Sequence, residues 1–358
     1  MNSYVCIPMN IYAYYYPGFF EDNYRISGSE WKLLQDAKAR RTGHYQPRIP
    51  LQGYYDQTQY ATCKAQIELA QSYGIKGFMV CFYWDFESSI PILGEVLDVL
   101  MRAMEGTTFE FNIMWVLRLP HQSLPIEQGS YGKYHNHPWF KKRIQHYRHD
   151  SNFHQTLARI TSHPNYRKGP DGKPLLQLYS VSELHELHGQ ETKEILHSLR
   201  AYHLQAVCGR NDDWISESEG LGLQSLSSYV TLVDFNTQAS IHYHKACVDA
   251  QKKVWDTIQD HATIPFYPSV STGWDASPRG SFLQGFKVKK FPWAPVVIDA
   301  NPLDFETNLK LALAWCRQHH VDLHIASWNE WSEGHYLEPD ERFGFQYLEK
   351  VLHLTESR

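Results

Sequence analysis

Residues 323–340 read LHIASWNEWSEGHYLEPD, and the rest of the chain can be interpreted outward from this stretch. Leu323–Ala326 is a short apolar run of the kind that forms a buried strand. Glu330 and Glu333 follow directly, among indole, amide and imidazole side chains. Two carboxylates three residues apart at a strand end suit proton transfer on a sugar, and aromatic faces suit stacking on its ring.

Upstream of this stretch, short β-like runs alternate with longer helical patterns. The predicted strands are residues 5–14, 77–82, 111–116, 174–179, 205–208, 229–234, 263–267 and 323–326. The predicted helices are residues 58–73, 92–104, 153–162, 191–202, 243–261, 305–319 and 343–354. Each pair of parallel strands needs a covering crossover, so the pattern predicts an α/β fold, a (β/α)8 TIM barrel. An open doubly wound sheet is the alternative, but its G-x-G-x-x-G turn is absent.

Long segments follow three of the predicted strands. They are residues 15–57, 117–152 and 268–303. Segments that follow barrel strands lie on the face where the strands end, which is where barrels carry their active sites. No linker rich in Pro, Gly or Ser divides the chain, so residues 1–358 are predicted to form a single domain with long βα loops.

The composition narrows the class of function. Hydrophobic residues make up 42 % of the chain and aromatic residues 14 %, with 11 Trp and 23 Tyr. An excess of amphipathic rings favours a surface that binds a ligand through polar and apolar faces. The formal net charge is −5 and no long basic stripe occurs, which argues against a nucleic-acid partner.

The cysteines and the N-terminal stretch bear on location. The 6 Cys are scattered, several lie in apolar runs, and no C-x-x-C occurs, which favours buried free thiols in a reducing compartment. The first residues resemble a strand more than a signal peptide, and no apolar run reaches 18 residues. We therefore expect a cytoplasmic protein without a membrane span.

No cofactor or metal site is predicted. His135-x-His137 and His242-x-His244 have the same-face spacing of strand residues, but no third ligand accompanies either pair. No phosphate-binding G-x-x-x-x-G-K-[ST] loop and no G-x-S-x-G elbow occur, which argues against an NTPase and a serine hydrolase.

The two glutamates admit two interpretations. In a helical turn, positions i and i+3 share a face with Cβ atoms about 5–6 Å apart. Retaining glycosidases place their carboxyl groups about 5–5.5 Å apart, so this spacing favours retention. The alternative is structural, because Ser327-x-x-Glu330 is also a capping-box pattern that could begin a helix.

Other candidate ligand contacts lie where predicted strands end or in the long loops. Ring-bearing residues such as Tyr15 and Tyr83 are placed to meet a sugar at the barrel mouth. Ordinary packing of a large rim is about equally consistent with them. The candidates found in this way are Tyr15, His44, Tyr45, Tyr83, Trp84, Trp274 and Asp275.

Taken together, an ordered series of motifs resembles the WbsX-like family, which is related to glycoside hydrolase family 99. The matching motifs are Tyr15-x-Pro17, Ser29-Glu30-Trp31, Gly43-His44-Tyr45-Gln46-Pro47-Arg48-Ile49-Pro50, Tyr54-Tyr55-Asp56, Tyr73-Gly74-Ile75-x-Gly77-Phe78, Tyr83-Trp84, Asp171-Gly172-Lys173-Pro174, Gly273-Trp274-Asp275, Trp328-Asn329-Glu330-Trp331-Ser332-Glu333-Gly334 and Leu337-Glu338-Pro339-Asp340. The resemblance runs nearly from end to end.

The resemblance implies a TIM barrel that acts on α-linked sugars such as mannosides. It implies that Glu330 acts as a base on the sugar's own 2-hydroxyl, which attacks C1. It implies that Glu333 is the general acid and then the base for water. The substrate-binding residues expected on this basis are Tyr15, Glu30, Trp31, His44, Tyr45, Tyr83, Trp84, Trp115, Arg118, Trp274, Asp275, Trp328, Asn329, Trp331 and His335.

The chain departs from the family pattern after Trp115, where a W-A-N-E-N-W run is replaced by Val116-Leu117-Arg118-Leu119-Pro120-His121. A cation there would suit an acidic sugar or a phosphate. The function predicted is a retaining glycoside hydrolase acting on an oligosaccharide or polysaccharide. The alternatives are a glycosyltransferase or transglycosidase of surface-polysaccharide biosynthesis, and a non-catalytic carbohydrate-binding barrel.

Overall fold

The computed structural model describes residues 9–23, 25–26, 28–118, 124–126, 146–208, 218–230, 240–280 and 291–356. The strands are β1 Ile11–Tyr15, β2 Gly77–Asp85, β3 Ile90–Ile92, β4 Glu110–Val116, β5 Leu175–Tyr179, β6 His203–Cys208, β7 Ser225–Ser228, β8 Ser240–His242, β9 Phe266–Tyr267, β10 Ser269–Ser271, β11 Val296–Ile298, β12 Leu323–Ala326, β13 Asn329–Glu330 and β14 His335–Tyr336. The α-helices are α1 Glu30–Gln35, α2 Tyr60–Ser72, α3 Gly94–Met104, α4 Ser151–Thr161, α5 Val181–His188, α6 Thr192–Ser198, α7 Ala250–His261, α8 Pro302–His319 and α9 Gln346–Glu356.

Nine parallel strands form a nearly closed barrel in the order β10-β12-β1-β2-β4-β5-β6-β7-β9, with helices around it. Strands β9 and β10 are halves of one segment, separated only by Pro268, which has no N–H to donate to a ladder. The first half pairs with β7 and the second with β12, so the segment joins the two ends of the sheet. The TIM barrel expected from the sequence is confirmed.

The sixth barrel strand lies earlier than the sequence pattern indicated. The apolar run at residues 229–234 was the expected strand, whereas the observed one is Ser225–Ser228. Its three serines lack the β-branched and aromatic side chains that mark strands, which is why the pattern missed it. Tyr229 and Val230 instead follow the strand and line the barrel mouth.

The serines of β7 are small because large rings occupy the barrel interior beside them. The Oη of Tyr14, on β1, lies 3.2 Å from Ser227 Oγ and donates to the Ser228 carbonyl at 2.9 Å. The ring of His324, on β12, comes within 2.7 Å of the same Ser227 Oγ through Nδ1. Three strands are thereby joined across the interior by side chains of complementary size.

A chain of amides extends this polar interior. Asn112 donates to Gln177 at 3.1 Å, and Gln177 donates to Gln205 at 2.7 Å. Gln205 in turn donates to Ser225 at 3.0 Å. Buried polar groups are tolerated when they are hydrogen-bonded in this way, and such a network fixes the register of neighbouring strands.

The cysteines of the described residues agree with the expectation of free thiols. Cys63, Cys81, Cys208, Cys247 and Cys316 are buried and form no disulfide bond with one another, and Cys6 lies outside the described residues. Within the described part of the chain, no helix is both long and apolar enough to cross a membrane.

We predict that Ser227→Val lowers the free energy of unfolding by about 1–3 kcal/mol. The added methyl groups overpack the site between Tyr14 and His324, and a hydrogen-bond partner is lost. Urea denaturation measures the change. The matched control is Ser151→Val at the exposed first position of α4, which we expect to cost about 0.5 kcal/mol or less. Equal losses in the two variants would contradict the account of the barrel interior.

Candidate active site

Glu330 and Glu333 stand in a compact hairpin at the carboxyl end of β12. Strands β13 and β14 pair antiparallel, and Trp331–Glu333 forms a single 3₁₀ turn between them. Gly334 closes the turn with φ of 69°, a conformation that glycine adopts without strain. A side chain here would also collide with Arg48 and Asp275, so the position requires glycine.

The structure bears on the capping alternative for Glu330. Ser327 Oγ does accept the backbone N–H of Glu330 at 2.8 Å, which is one half of a capping box. No α-helix follows, however, and the carboxylate of Glu330 turns towards Arg279 instead. The serine therefore shapes the turn while the glutamate side chain is left to face the barrel mouth.

Arg279 bridges the two glutamates. Its Nη2 donates to Glu330 Oε2 at 3.1 Å and its Nη1 donates to Glu333 Oε1. Its Nε donates to Ser332 Oγ at 2.8 Å, and the residue is only 2 % exposed. The planar guanidinium presents its donors in a fixed fork, so one side chain sets the relative position of both carboxyl groups.

The loop that carries Arg279 is tied to the same turn. The backbone N–H of Asp275 donates to the Glu333 carbonyl at 2.7 Å. The buried carboxylate of Asp275 lies 2.8 Å from His44 Nε2 and accepts from Gln46 at 2.6 Å. His44 and Asp275 thus form a buried support beneath the turn rather than part of the cavity wall.

A second support comes from the segment after β1. Asn329 binds the backbone of Tyr16 twice, accepting its N–H at 2.8 Å and donating to its carbonyl at 2.9 Å. Tyr16 Oη donates to Glu30 Oε1 at 2.6 Å, and Ser332 Oγ donates to Glu30 Oε2 at 2.9 Å. Glu30 therefore holds the middle of the turn that carries the two glutamates from behind.

A third buried carboxylate anchors the indole between the two glutamates. Glu338 accepts Trp331 Nε1 at 2.7 Å, Tyr55 Oη at 2.6 Å and Gln66 Nε2 at 2.7 Å. Burial raises the pKa of Glu338 to about 7, against the lowering effect of these donors. Trp331 also stacks on Tyr336, with ring centroids 3.7 Å apart. The indole is thus part of the scaffold of the turn.

A cavity of about 270 Å³ opens in front of the glutamate pair. Tyr83, Tyr179 and Tyr229 line it, and the Tyr83 hydroxyl also has a hydrogen bond with the Cys81 thiol. Trp274 lies in the wall, its ring stacked on that of His335 at a centroid distance of 5.5 Å. The lining residues are Arg25, Cys81, Tyr83, Met114, Val116, Tyr179, Cys208, Tyr229, Val230, Trp274, Arg279, Glu330 and Glu333.

The two carboxyl groups differ strongly in pKa. Burial raises the pKa of Glu330 to about 8, and the neighbouring Glu333 adds to the rise. Burial also acts to raise the pKa of Glu333, but the Arg279 guanidinium and a hydrogen bond from His335 at 3.0 Å outweigh it and lower the pKa to about 2. At neutral pH the pair therefore holds one proton, on Glu330.

The structure brings only some of the expected binding residues to the cavity. Tyr83 and Trp274 line it together with Glu330 and Glu333. His335 contacts Glu333 from behind, and Trp31 packs on Phe19 with its Nε1 bonded to the Tyr55 carbonyl. The residues that support the turn without lining the cavity are Glu30, Trp31, His44, Asp275, Asn329, Trp331 and His335.

Several other candidates point away from the barrel axis. Tyr15 donates to Gln66 of α2 at 2.8 Å, and Trp84 donates to Asp150 at 3.0 Å at the start of α4. Side chains alternate along a strand, so when Tyr14 and Tyr83 face inward their neighbours pack under helices. Trp115 packs on Phe153 of α4 and Trp328 on Phe78 of β2.

The remaining two candidates lie at the rim. Tyr45 is half-buried, and the Arg342 guanidinium lies 4.6 Å from its ring centroid. Arg118 forms an ion pair with Glu183 of α5. The positive charge of Arg118, which was expected to bind an acidic sugar or a phosphate, is therefore paired with Glu183.

Sequence reasoning missed Arg25, Arg279, Tyr179 and Tyr229. Tyr179 is the last residue of β5, and Tyr229 follows the last residue of β7, so the rule that strand ends face the barrel mouth could have found both. Arg279 stands four residues after Asp275, but its contact with the glutamates depends on the packing of two separate loops. No local sequence signal encodes that contact.

In the part of the chain that the structure describes, no group of three or more His, Cys, Asp or Glu side chains is placed to hold a metal ion. His242 Nδ1 pairs with Asp299, and His244 lies 3.6 Å from Asp249. His135 and His137 lie outside the described residues.

The model of the family described as "Glycosyltransferase WbsX" matches residues 11–351. This chain belongs to the Glycosyltransferase WbsX family. The curated relatives include the uncharacterised protein WxcX of Xanthomonas campestris pv. campestris strain B100, 24 % identical over 367 residues. That match covers 96 % of this chain and 49 % of the relative, so the WbsX-family chain spans about half the length of the curated relatives it matches.

Solved structures share the fold of this WbsX-family protein. The family 99 endo-alpha-mannosidase from Bacteroides thetaiotaomicron superposes with a TM-score of 0.62 at 13 % identity, covering 97 % of both chains. A structure described as a glycoside hydrolase-like protein superposes with a TM-score of 0.60 at 13 % identity, covering 97 % of this chain and 93 % of the other. The fold is therefore of the glycoside-hydrolase type.

We predict that Glu330→Gln becomes increasingly stable relative to the native protein as the pH rises from about 4.5 to about 8. The raised pKa means that the folded state binds more protons than the unfolded state across this window, so the native protein loses stability as the pH rises through it. The variant has no such proton to lose. The melting temperature measured at pH 5 and at pH 9 gives the difference.

The control for this pH dependence is Glu349→Gln, at an exposed position of α9. We expect that variant to follow the native protein at both pH values. A constant offset between Glu330→Gln and the native protein from pH 5 to pH 9 would show that Glu330 does not carry the shared proton.

Proposed function

We propose that this protein is a retaining glycoside hydrolase that cleaves an α-linked, mannoside-like glycan through Glu330 and Glu333. The observation that carries the proposal is the arginine-bridged pair of buried carboxyl groups, which holds a single proton at the wall of a cavity large enough for a sugar ring. Acid/base pairs need carboxyl groups whose surroundings separate their pKa values, and Glu330 and Glu333 have that difference at the wall of the cavity.

The proposed chemistry uses the sugar's own 2-hydroxyl. Glu330 takes the proton of that hydroxyl while its oxygen attacks C1, the glycosidic bond breaks, and Glu333 gives a proton to the leaving oxygen. The product of this step is an anhydro-sugar closed between C1 and O2. Glu333 then takes a proton from water as the water oxygen attacks C1, the C1–O2 bond breaks, and Glu330 returns its proton to O2. Two displacements at C1 leave the anomeric configuration unchanged.

In the unliganded site the proton lies on Glu330, whereas this chemistry begins with Glu333 protonated. Substrate binding moves the proton from Glu330 to Glu333. A sugar hydroxyl that donates to Glu330 favours its ionised form, and the new charge raises the pKa of the neighbouring Glu333. Because the two groups share one proton, it passes to Glu333 as Glu330 ionises.

The rest of the cavity supports sugar binding. The hydroxyl groups of Tyr83, Tyr179 and Tyr229 can donate to or accept from sugar hydroxyls, and burial raises the pKa of Tyr179 to about 12, so it stays protonated. Trp274 offers an aromatic face for the ring of the sugar. The positive charge of Arg279 stabilises whichever of the two carboxyl groups is ionised at a given stage of the reaction.

A transglycosidase is the second candidate, and the family description favours it. The same intermediate would be opened by a hydroxyl of an acceptor sugar in place of water. Cleavage in the presence of a large excess of acceptor glycan separates the two, since a transglycosidase yields a longer glycan whereas a hydrolase yields free sugar.

We also propose that the protein works in the cytoplasm. Five buried free thiols support a reducing compartment. Fractionation of native cells tests this, and recovery of the protein outside the cytoplasm would remove the proposal without touching the chemistry.

We predict that Glu333→Gln lowers kcat/KM on an unactivated α-mannoside by about 10²–10⁴-fold but retains most of the activity on a 2,4-dinitrophenyl α-mannoside. A good leaving group departs with little help from a general acid. Glu330→Gln is expected to lose activity on both substrates, because the 2-hydroxyl then lacks its base. Steady-state kinetics with the two substrates measures both variants.

The control is again Glu349→Gln, at an exposed position of α9, and we expect its rates on both substrates to be unchanged. The opposite pattern, in which Glu330→Gln spares the activated substrate and Glu333→Gln loses both, would exchange the two roles. Full activity of both variants on both substrates would reject the paired-glutamate mechanism.

A further inference from the structure

In the part of the chain that the structure describes, two guanidinium groups line the cavity. Arg279, from the loop after β10, uses its Nε and both Nη groups on Ser332 and the two glutamates. Arg25, from the segment between β1 and α1, lines the same cavity and has no role in the proposed chemistry. A cation that faces a cavity without a task in the turn is a candidate for binding the ligand.

Arg25 has few partners of its own. Its Nη1 donates to Tyr16 Oη at 3.2 Å, and its Nε is buried without a hydrogen-bond partner among the described residues. The Glu30 carboxylate lies 3.8 Å from that Nε, and its oxygens accept shorter bonds from Tyr16 and Ser332. Glu30 thus offsets the charge of Arg25 from behind but accepts none of its hydrogen bonds. Because Nε is buried, the Nη groups are the part of the guanidinium left to meet a ligand.

The cavity wall carries more positive than negative charge. Among the described lining residues, Arg25 and Arg279 are cationic and Glu333 is ionised, whereas Glu330 holds a proton at neutral pH. Burial and the Arg25 guanidinium both act to lower the pKa of Arg279, although the neighbouring carboxyl groups outweigh them and raise it. The two cations are therefore near enough to repel each other, and an anion bound beside them reduces that repulsion.

The shape and charge of Arg25 favour a carboxylate over other groups of a sugar. Sugar hydroxyls have partners in Tyr83, Tyr179 and Tyr229, which can donate and accept, whereas arginine only donates. A guanidinium binds a carboxylate through two parallel N–H···O bonds, which are about twice as strong as neutral ones. A phosphate monoester carries a charge of about −1.5 to −2 at pH 7, more than one guanidinium offsets. The cavity of about 270 Å³ has room for one sugar ring, so the carboxylate belongs to the sugar within it.

We propose that the sugar cleaved at this site is a uronic acid, whose C6 carboxylate is bound by Arg25. In a mannoside-like glycan this sugar is a mannuronic acid. The identity of the sugar rests on the proposed function, whereas the guanidinium in the cavity wall does not depend on it. A cation for an acidic sugar was expected at Arg118, which is paired with Glu183, and Arg25 takes that role from within the cavity.

The test compares 4-nitrophenyl α-D-mannosiduronic acid with 4-nitrophenyl α-D-mannoside, which differ only at C6. The ratio of their kcat/KM values is measured for the native protein and for Arg25→Gln, so that intrinsic reactivity and the folded fraction both cancel. We expect the preference for the uronide to fall by about 10–100-fold in Arg25→Gln, the effect of losing a hydrogen bond to a charged group. Arg25→Lys, which keeps the charge without the planar fork, should give an intermediate ratio.

The matched control is Arg159→Gln on α4, where the arginine is exposed and pairs with Asp98. This variant should keep the native ratio of the two substrates. An unchanged ratio in Arg25→Gln would overturn the inference while leaving the hydrolase proposal in place.

Binding can be measured without turnover, by NMR titration of Glu330→Gln with the two methyl glycosides, and again after Arg25→Gln is added to it. Tighter binding of the uronide that is lost in the double variant supports the inference even if no cleavage is found, in which case the hydrolase proposal alone fails. Equal binding of the two glycosides, binding of neither, or a preference that survives in the double variant contradicts it.

Discussion

The contact of one guanidinium with two carboxyl groups is the interaction on which the candidate site depends. Arg279 joins Glu330 to Glu333, and its remaining Nε–H fixes Ser332 between them. Without this charge the site would hold two buried carboxylates at close range, and both would tend to bind protons. With it, one carboxyl group is ionised and the other is neutral, so the pair holds the single proton that the proposed chemistry moves from Glu330 to Glu333.

The surrounding structure serves to keep that contact in place. Asp275 fixes the loop of Arg279 against the backbone of Glu333, Glu30 holds Ser332, and Glu338 holds the indole of Trp331. Asp275 and Glu30 are buried and accept hydrogen bonds that offset their desolvation, whereas burial outweighs the donors of Glu338 and raises its pKa to about 7. The raised pKa values of Glu330 and Glu338 mark the cost that remains, since their charged forms are less stable folded than unfolded.

The barrel and the glutamate pair could be predicted from the sequence because both leave local signals. Alternating apolar runs and helical patterns marked most barrel strands, and the two glutamates follow the last one directly. The strand Ser225–Ser228 left no such signal, since its residues were determined by the rings of Tyr14 and His324 packed against it. Trp84 and Trp115 looked like sugar-binding rings, yet strand alternation turns them under α4, and their composition alone could not reveal this.

The central claim is that the arginine-bridged glutamates cleave a glycosidic bond with retention of configuration. Real-time proton NMR of the anomeric region during cleavage of an α-linked mannoside glycan tests it most directly, because the first-formed product is seen before it mutarotates. The account predicts that the α-anomer appears first and the β-anomer grows in later. Initial appearance of the β-anomer, or an absence of cleavage by the native protein, would contradict it.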